Sequence, residues 1–383
     1  MYNNLLRKKP LMFGLVATTL AAGGTLYAYE NYAHRHPRNL NAALDYYGFK
    51  APEQKQALRL LMQKAGVKDA DAMLDRKAES QTALSKSILD LVSETQDKFT
   101  IRTGKQERWD VQTSDWMKDS AQQKQILSAL EILNMMDAVP PAFKKREVIC
   151  VLGASRSVMV SRLDYAGELF TEGKLPAHWL IMLAGERYVT PDKNGVRVDG
   201  SEEELSEMAT KVGKNVATLT ETDLMKAAYE ASKLHGKFPG HDVLIDTPRR
   251  NLPRPTTETT VTELCDWLKQ HPEVHDITFV SNQPHVDYQQ AIIAQVFEKQ
   301  GVKVRFEVIG PEYRAGLVNN DADKINYVMQ ALGSRIWAAT PGVMDAIGLD
   351  MSDPKLRAEF KKLYEKQPLI YNNFEAKLPK PKM

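Results

Sequence analysis

Between residues 147 and 310 short apolar runs alternate with helix-period segments, and this alternation restricts the fold more than any other feature of the chain. The runs are 148–152, 179–183, 242–245, 277–280 and 302–309. They are short, and the first carries no charge, as expected of a strand buried on both faces of a parallel sheet. Helical patterns at 159–172, 258–270 and 288–299 separate them, with Gly173 and Gly301 as stop signals. Ser201-Glu-Glu-Glu and Thr220-Glu-Thr-Asp read as capped helix starts. Residues 186–200 hold Asn194-Gly195 and Asp199-Gly200, turn chemistry that suits a hairpin between 188–189 and 196–198. The predicted class is α/β: a Rossmann-like open parallel sheet with flanking helices over 146–345, its fifth strand suited to an edge.

Residues 40–140 carry helical spacing instead, as in Leu58, Leu61 and Met62, in Leu84, Ile88 and Leu91, and in Ile126, Leu130 and Leu133. Pro140 and Pro141 end this stretch, and 99–116 reads as a loop or short hairpin within it. With a linker it makes a helical region, 29–145, either packed on the later domain or presented to a protein partner. A C-terminal helix and polar tail fill 346–383. At the other end Arg7, Lys8 and Lys9 precede 11–28, a run without a charge. As a helix it would reach roughly 27 Å, enough for a bilayer core. It predicts an uncleaved signal anchor, with 1–10 cytoplasmic and the bulk of the chain on the far side. A signal peptide cleaved near the small residues 21–24 is the alternative.

Composition excludes some classes. The net charge of +2 gives no electrostatic case for nucleic acid. The two cysteines, Cys150 and Cys265, lie in apolar surroundings and read as core residues. No Cys/His spacing matches a zinc site, and no metal is expected.

In a sheet of this kind the loops after the strands share one rim, where ligands bind. That rim collects Gly153, Ser155 and Arg156 after the first strand and Gly185, with Glu186 and Arg187, after the second. Arg249, Arg250 and Arg254 follow the third, in a proline-rich loop that leads to Thr257, and Asn282 and His285 follow the fourth. Glu221 and Glu258 stand at helix starts facing the same cleft. Arginine forks and helix-start N–H groups suit phosphate or carboxylate, so an anionic small molecule is the expected ligand. His285, Glu258 and Glu221 are the candidates for acid–base chemistry. Each has a bland counterpart: a structural hydrogen bond for His285, and helix-dipole complementation for the two glutamates. Ser155 reads as a helix cap in preference to a nucleophile, because no Gly-x-Ser-x-Gly elbow surrounds it.

The order of several short motifs over 147–310 resembles the SanA, ElyC and YdcF-like family of bacterial envelope proteins, which carry a domain of unknown function. Val151-Leu152-Gly153 resembles the family's first strand and glycine. Arg162-Leu163-Asp164-Tyr165-Ala166 with Gly173-Lys174 resembles its first helix, and Leu183-Ala184-Gly185 stands where the family has a strand ending in Ser-Gly-Gly. Thr220-Glu221, Thr256-Thr257-Glu258 and Val280-Ser281 with His285 follow in the family's order. Departures are Ala184 for a glycine, Thr259 for an asparagine, Tyr288 and Gln289 near the place of an arginine, and an insertion at 187–219. The resemblance implies a single-pass protein of the bacterial inner membrane with its bulk in the periplasm, acting in envelope or surface-polymer biogenesis. It implies S-adenosylmethionine as a cofactor only through one branch. Two functions remain open: an anchored protein binding a phosphorylated sugar, nucleotide or lipid carrier, with or without catalysis, or a non-catalytic binding or scaffolding protein with a degenerate site.

Overall fold

The computed structural model describes residues 16–21, 24–29, 37, 39–100, 112–192, 198–252, 254–313, 320–348 and 354–365. Two short strands, β1 (Val16–Ala21) and β2 (Gly24–Tyr29), pair antiparallel near the N-terminus. But for Tyr29 they fall within 11–28, the expected anchor; 11–15 and 22–23 lie outside the described residues. Among the described residues no helix is long and apolar enough to cross a membrane.

The apolar runs become β3 (Val148–Leu152), β4 (Trp179–Gly185), β5 (Asp242–Thr247), β6 (Asp276–Val280) and β7 (Arg305–Ile309). They form one parallel five-stranded sheet in the order β5-β4-β3-β6-β7. The last strand is shorter than the run 302–309 because the Val302 N–H still bonds back to the Phe297 carbonyl, at 2.9 Å, to close the preceding helix. It lies at an edge, as its alternation suggested; the other edge is β5, whose middle residues are only half-buried.

Alternate side chains of the central strands serve opposite faces. Ile149, Val151, Leu180 and Met182 meet α7 (Arg156–Thr171), α8 (Glu202–Lys211) and α9 (Glu221–Glu230). Val148, Cys150, Leu152, Ile181 and Leu183 meet α10 (Thr257–Gln270) and α11 (Val286–Gln300). Cys150 and Cys265 belong to that second layer as free thiols, and burial pushes both up, Cys265 to about 12. Strand order reverses between β3 and β6, so the loops after these two strands diverge and leave a crevice at the switch point.

The remaining helices are α1 (Leu40–Ala43), α2 (Pro52–Lys64), α3 (Ala70–Asp75), α4 (Gln81–Phe99), α5 (Asp115–Lys118), α6 (Ser120–Ile132), α12 (Asp321–Ala346) and α13 (Pro354–Glu365). They share one core, to which α12 contributes Ile325, Val328, Met329, Leu332 and Ile336. The core therefore divides the chain differently from boundaries at 145 and 345. The helical region ahead of the sheet is completed by helices that follow it, because α2, α4 and α6 need a central partner for their apolar faces.

This helical unit packs against the sheet domain on the β6–β7 side of the rim. Gln283 Nε2 donates to the Asn134 and Asp137 carbonyls at 2.8 and 3.0 Å. Val139 and Gly310 exchange backbone hydrogen bonds of 2.8 and 3.1 Å. Arg335 of α12 pairs with Asp287 of α11 at 2.8 Å.

Candidate functional site

The loop after β3 is shaped by what lies against it. A Cβ on Gly153 would sit 2.0 Å from Glu221 Oε1 and 2.6 Å from the Leu183 carbonyl, so only glycine lets the glutamate lie on the loop. Gly185 serves the next strand in the same way. A Cβ there would be 2.7 Å from the Thr247 carbonyl and 2.8 Å from Pro255 Cγ, because the proline-rich loop folds over the end of β4.

Ser155 stands at the N-cap of α7 but makes no capping hydrogen bond. Asp199, which the sequence offered only as a turn residue, does that work. It is 0% exposed, and its Oδ1 accepts from the Arg156 N–H at 3.0 Å. Its Oδ2 accepts from the Thr190 N–H at 2.8 Å. Arg187 grips both oxygens of the same carboxylate, from Nη1 at 2.8 Å and Nη2 at 2.9 Å. The expectation that the Gly153–Arg156 wall offers its helix-start N–H groups to a ligand is thus modified: a side chain from the insertion already fills that place. The Arg156 guanidinium turns to Glu204, at 3.3 Å.

Arg187 joins the other half of the cluster. Its Nε donates to Glu221 Oε2 at 2.8 Å and its Nη2 to the Ala154 carbonyl at 3.1 Å. Burial works against the arginine's charge, but hydrogen bonds and charges from Asp199 and Glu221 hold its pKa above the ordinary value. Glu221 titrates the other way. Burial raises its pKa, opposed by Arg187 and, more weakly, by the charge of Arg254.

Beneath this cluster, Arg162 is 1% exposed. Its Nε and Nη2 donate to Asn282 Oδ1 at 3.0 and 2.6 Å, and its Nη1 donates to the Leu152 and Gly153 carbonyls, both at 2.7 Å. All these acceptors are neutral. The arginine ties β3 to β6 across the switch point without a carboxylate in direct contact, and burial pushes its pKa down to about 10. Besides its place in the first-helix motif it has a signal of position: Met159, Arg162, Leu163 and Ala166 share the apolar stripe of α7, where a solvated arginine has no place.

The structure brings Gly153, Ser155, Arg156, Glu221 and Asn282 together around Arg162 and Arg187, and Arg254 lies within electrostatic reach of Glu221. Other candidates are engaged elsewhere. His285 Nε2 is 2.9 Å from the Tyr327 hydroxyl of α12, with the rings edge to face, so this histidine joins the two units. Glu258 pairs with Lys299 of α11 at 3.7 Å. Thr257 is half-buried in the first turn of α10, capped by Thr256. Arg250, at a φ of 50°, holds Glu263, and Arg249 donates its backbone N–H to Glu186 Oε2 at 2.8 Å. Of the hairpin expected between 188–189 and 196–198, most of the second arm lies outside the described residues; next to it the Asp199 N–H donates to the Thr190 carbonyl at 3.2 Å and the Asp192 N–H to the Gly200 carbonyl at 2.9 Å. Tyr188 also bridges Thr220, and 193–197 lie outside the described residues. Among the described residues no group of three or more His, Cys, Asp and Glu side chains is arranged to hold a metal ion.

No protein-family model, curated protein or solved structure matches the chain.

Proposed function

We propose that the α/β domain binds an anionic small molecule at the switch-point rim: a phosphorylated sugar, a nucleotide or a lipid carrier. The observation that carries this reading is Arg162. A cation buried among neutral acceptors costs desolvation energy that its hydrogen bonds offset only in part. Its charge, offset in part by that of Glu221, adds positive potential beneath the crevice, which favours an anion. The arginine-bearing loop 249–254 extends the same sign of charge along the rim.

A setting in the bacterial envelope, through a membrane anchor at 11–28, belongs to the same proposal. It is supported by the uncharged run and its basic flank, and by the resemblance to the SanA, ElyC and YdcF-like family. The second reading, a binding protein without catalysis, is favoured by the partners that His285 and Glu258 already have. Glu221 is then the one candidate acid–base group left inside the cluster.

A thermal-shift screen with phosphosugars, nucleotides and S-adenosylmethionine tests the binding reading. Stabilisation by an anionic compound, reduced in an Arg249→Ala/Arg250→Ala double variant, is the expected result. No stabilisation, or equal stabilisation of that variant, contradicts it. Loss of cellular function in a well-folded His285→Ala or Glu258→Ala protein would restore the catalytic reading.

A further inference from the structure

Four large hydrophobic side chains are exposed among the described residues, and Tyr188, at 53%, is both the most exposed and the one aromatic. It sits three residues beyond the end of β4, directly after Arg187, and its backbone bridges Thr220, the residue before Glu221. The ring therefore stands beside the buried charge cluster, at the rim where the ligand is proposed to bind. The Arg249 guanidinium lies over the ring at 5.3 Å from its centroid, and Arg249 is itself held by the Glu186 carboxylate on the strand-β4 side. Two rim loops thus present a guanidinium lying over an aromatic ring, with much of the ring still open to solvent.

We infer that the ligand is a nucleotide, its base stacked on Tyr188 and its phosphate held by the arginines of the 249–254 loop. This rests on the proposal that the rim binds an anion. Of the three ligand types considered there, only a nucleotide has a planar π-face to use the platform. A phosphorylated sugar has none. A lipid carrier calls for a continuous apolar surface, and the neighbours of Tyr188 at the rim are Glu186, Arg187 and Arg249. An arginine already lying over the ring adds to recognition, because it can keep that contact while a base approaches the ring and its N–H groups reach phosphate oxygens.

Calorimetric titration of the full chain with AMP, UMP, ribose 5-phosphate and inorganic phosphate tests the inference. One nucleotide is expected to bind about tenfold or more tightly than ribose 5-phosphate, as a single base–aromatic stack provides. Tyr188→Ala is expected to abolish that preference while leaving ribose 5-phosphate affinity unchanged, and Tyr188→Trp to restore it. Ribose 5-phosphate binding as tightly as both nucleotides overturns the nucleotide inference and leaves the anion site standing. Unchanged nucleotide affinity in Tyr188→Ala with a lowered melting temperature overturns it too, by reducing Tyr188 to a pin between loops. Failure of all four compounds to bind removes the anion site and this inference with it.

Discussion

Asp199 offers the sharpest test of how the site is built. It accepts four hydrogen bonds, two from Arg187 and one each from the Arg156 and Thr190 backbones, with no exposure to solvent. Asp199→Ala removes one side of a buried charge pair, a loss of about 3–5 kcal/mol when nothing compensates. Glu221 still holds Arg187 at 2.8 Å, so the lower end applies. Loss of the cap on α7 adds about 1 kcal/mol. The sum, about 4 kcal/mol, corresponds to a fall in melting temperature of roughly 8 °C for a domain of this size. The vacated space has the shape of a carboxylate and keeps its donors, so formate should bind there. With a Kd of ~10 mM, 100 mM formate returns about 1.4 kcal/mol. Melting of wild type and variant in formate, with chloride at matched ionic strength, reads both effects. A variant within about 1 kcal/mol of wild type, or equal stabilisation of both proteins by formate, would refute the view that Asp199 occupies an anion position.

Three further outcomes follow from the same geometry. Gly153→Ala places a methyl group against the Leu183 backbone carbonyl, which cannot retreat, and should cost about 3 kcal/mol in chemical denaturation; a near-neutral effect would show that the loop is slack. Glu221 holds its proton to higher pH folded than unfolded, so its contribution is fully present below about pH 4.3 and is lost as pH rises through its raised folded value. Wild-type stability should therefore decline relative to Glu221→Gln over that interval, and parallel pH profiles would contradict the burial. Ending the chain after residue 320 removes α12 from the centre of the helical core, so 40–132 should lose cooperative melting and bind a hydrophobic dye; an unchanged transition would show that the helical region folds alone.

The sheet was legible because strands buried on both faces leave a local trace. Val148–Leu152 and Asp276–Val280 are wholly buried, and the helix starts at Ser201 and Thr220 carry capping boxes within four residues. The site was legible only as a rim. Glycines and arginines after strands could be read off, but not which side chain each would meet. Asp199 reaches Arg156 from within an insertion, and nothing local distinguishes a buried carboxylate from another Asp-Gly turn. The partner of His285 lies on α12, far along the chain, as does the core that completes α2, α4 and α6. Arg162 stood in the first-helix motif and carried a local signal, a charge on an apolar stripe, but was not read as a site residue.

Crystallography of the full chain with a bound anion would show whether the switch-point rim is its binding site. The full chain would be crystallised with the anionic compound that stabilises it most. Density is predicted at the rim formed by the loops after β6, β3, β4 and β5, over Arg162 and within hydrogen-bond reach of a guanidinium of the 249–254 loop. Density at another surface, with that rim empty, would contradict it.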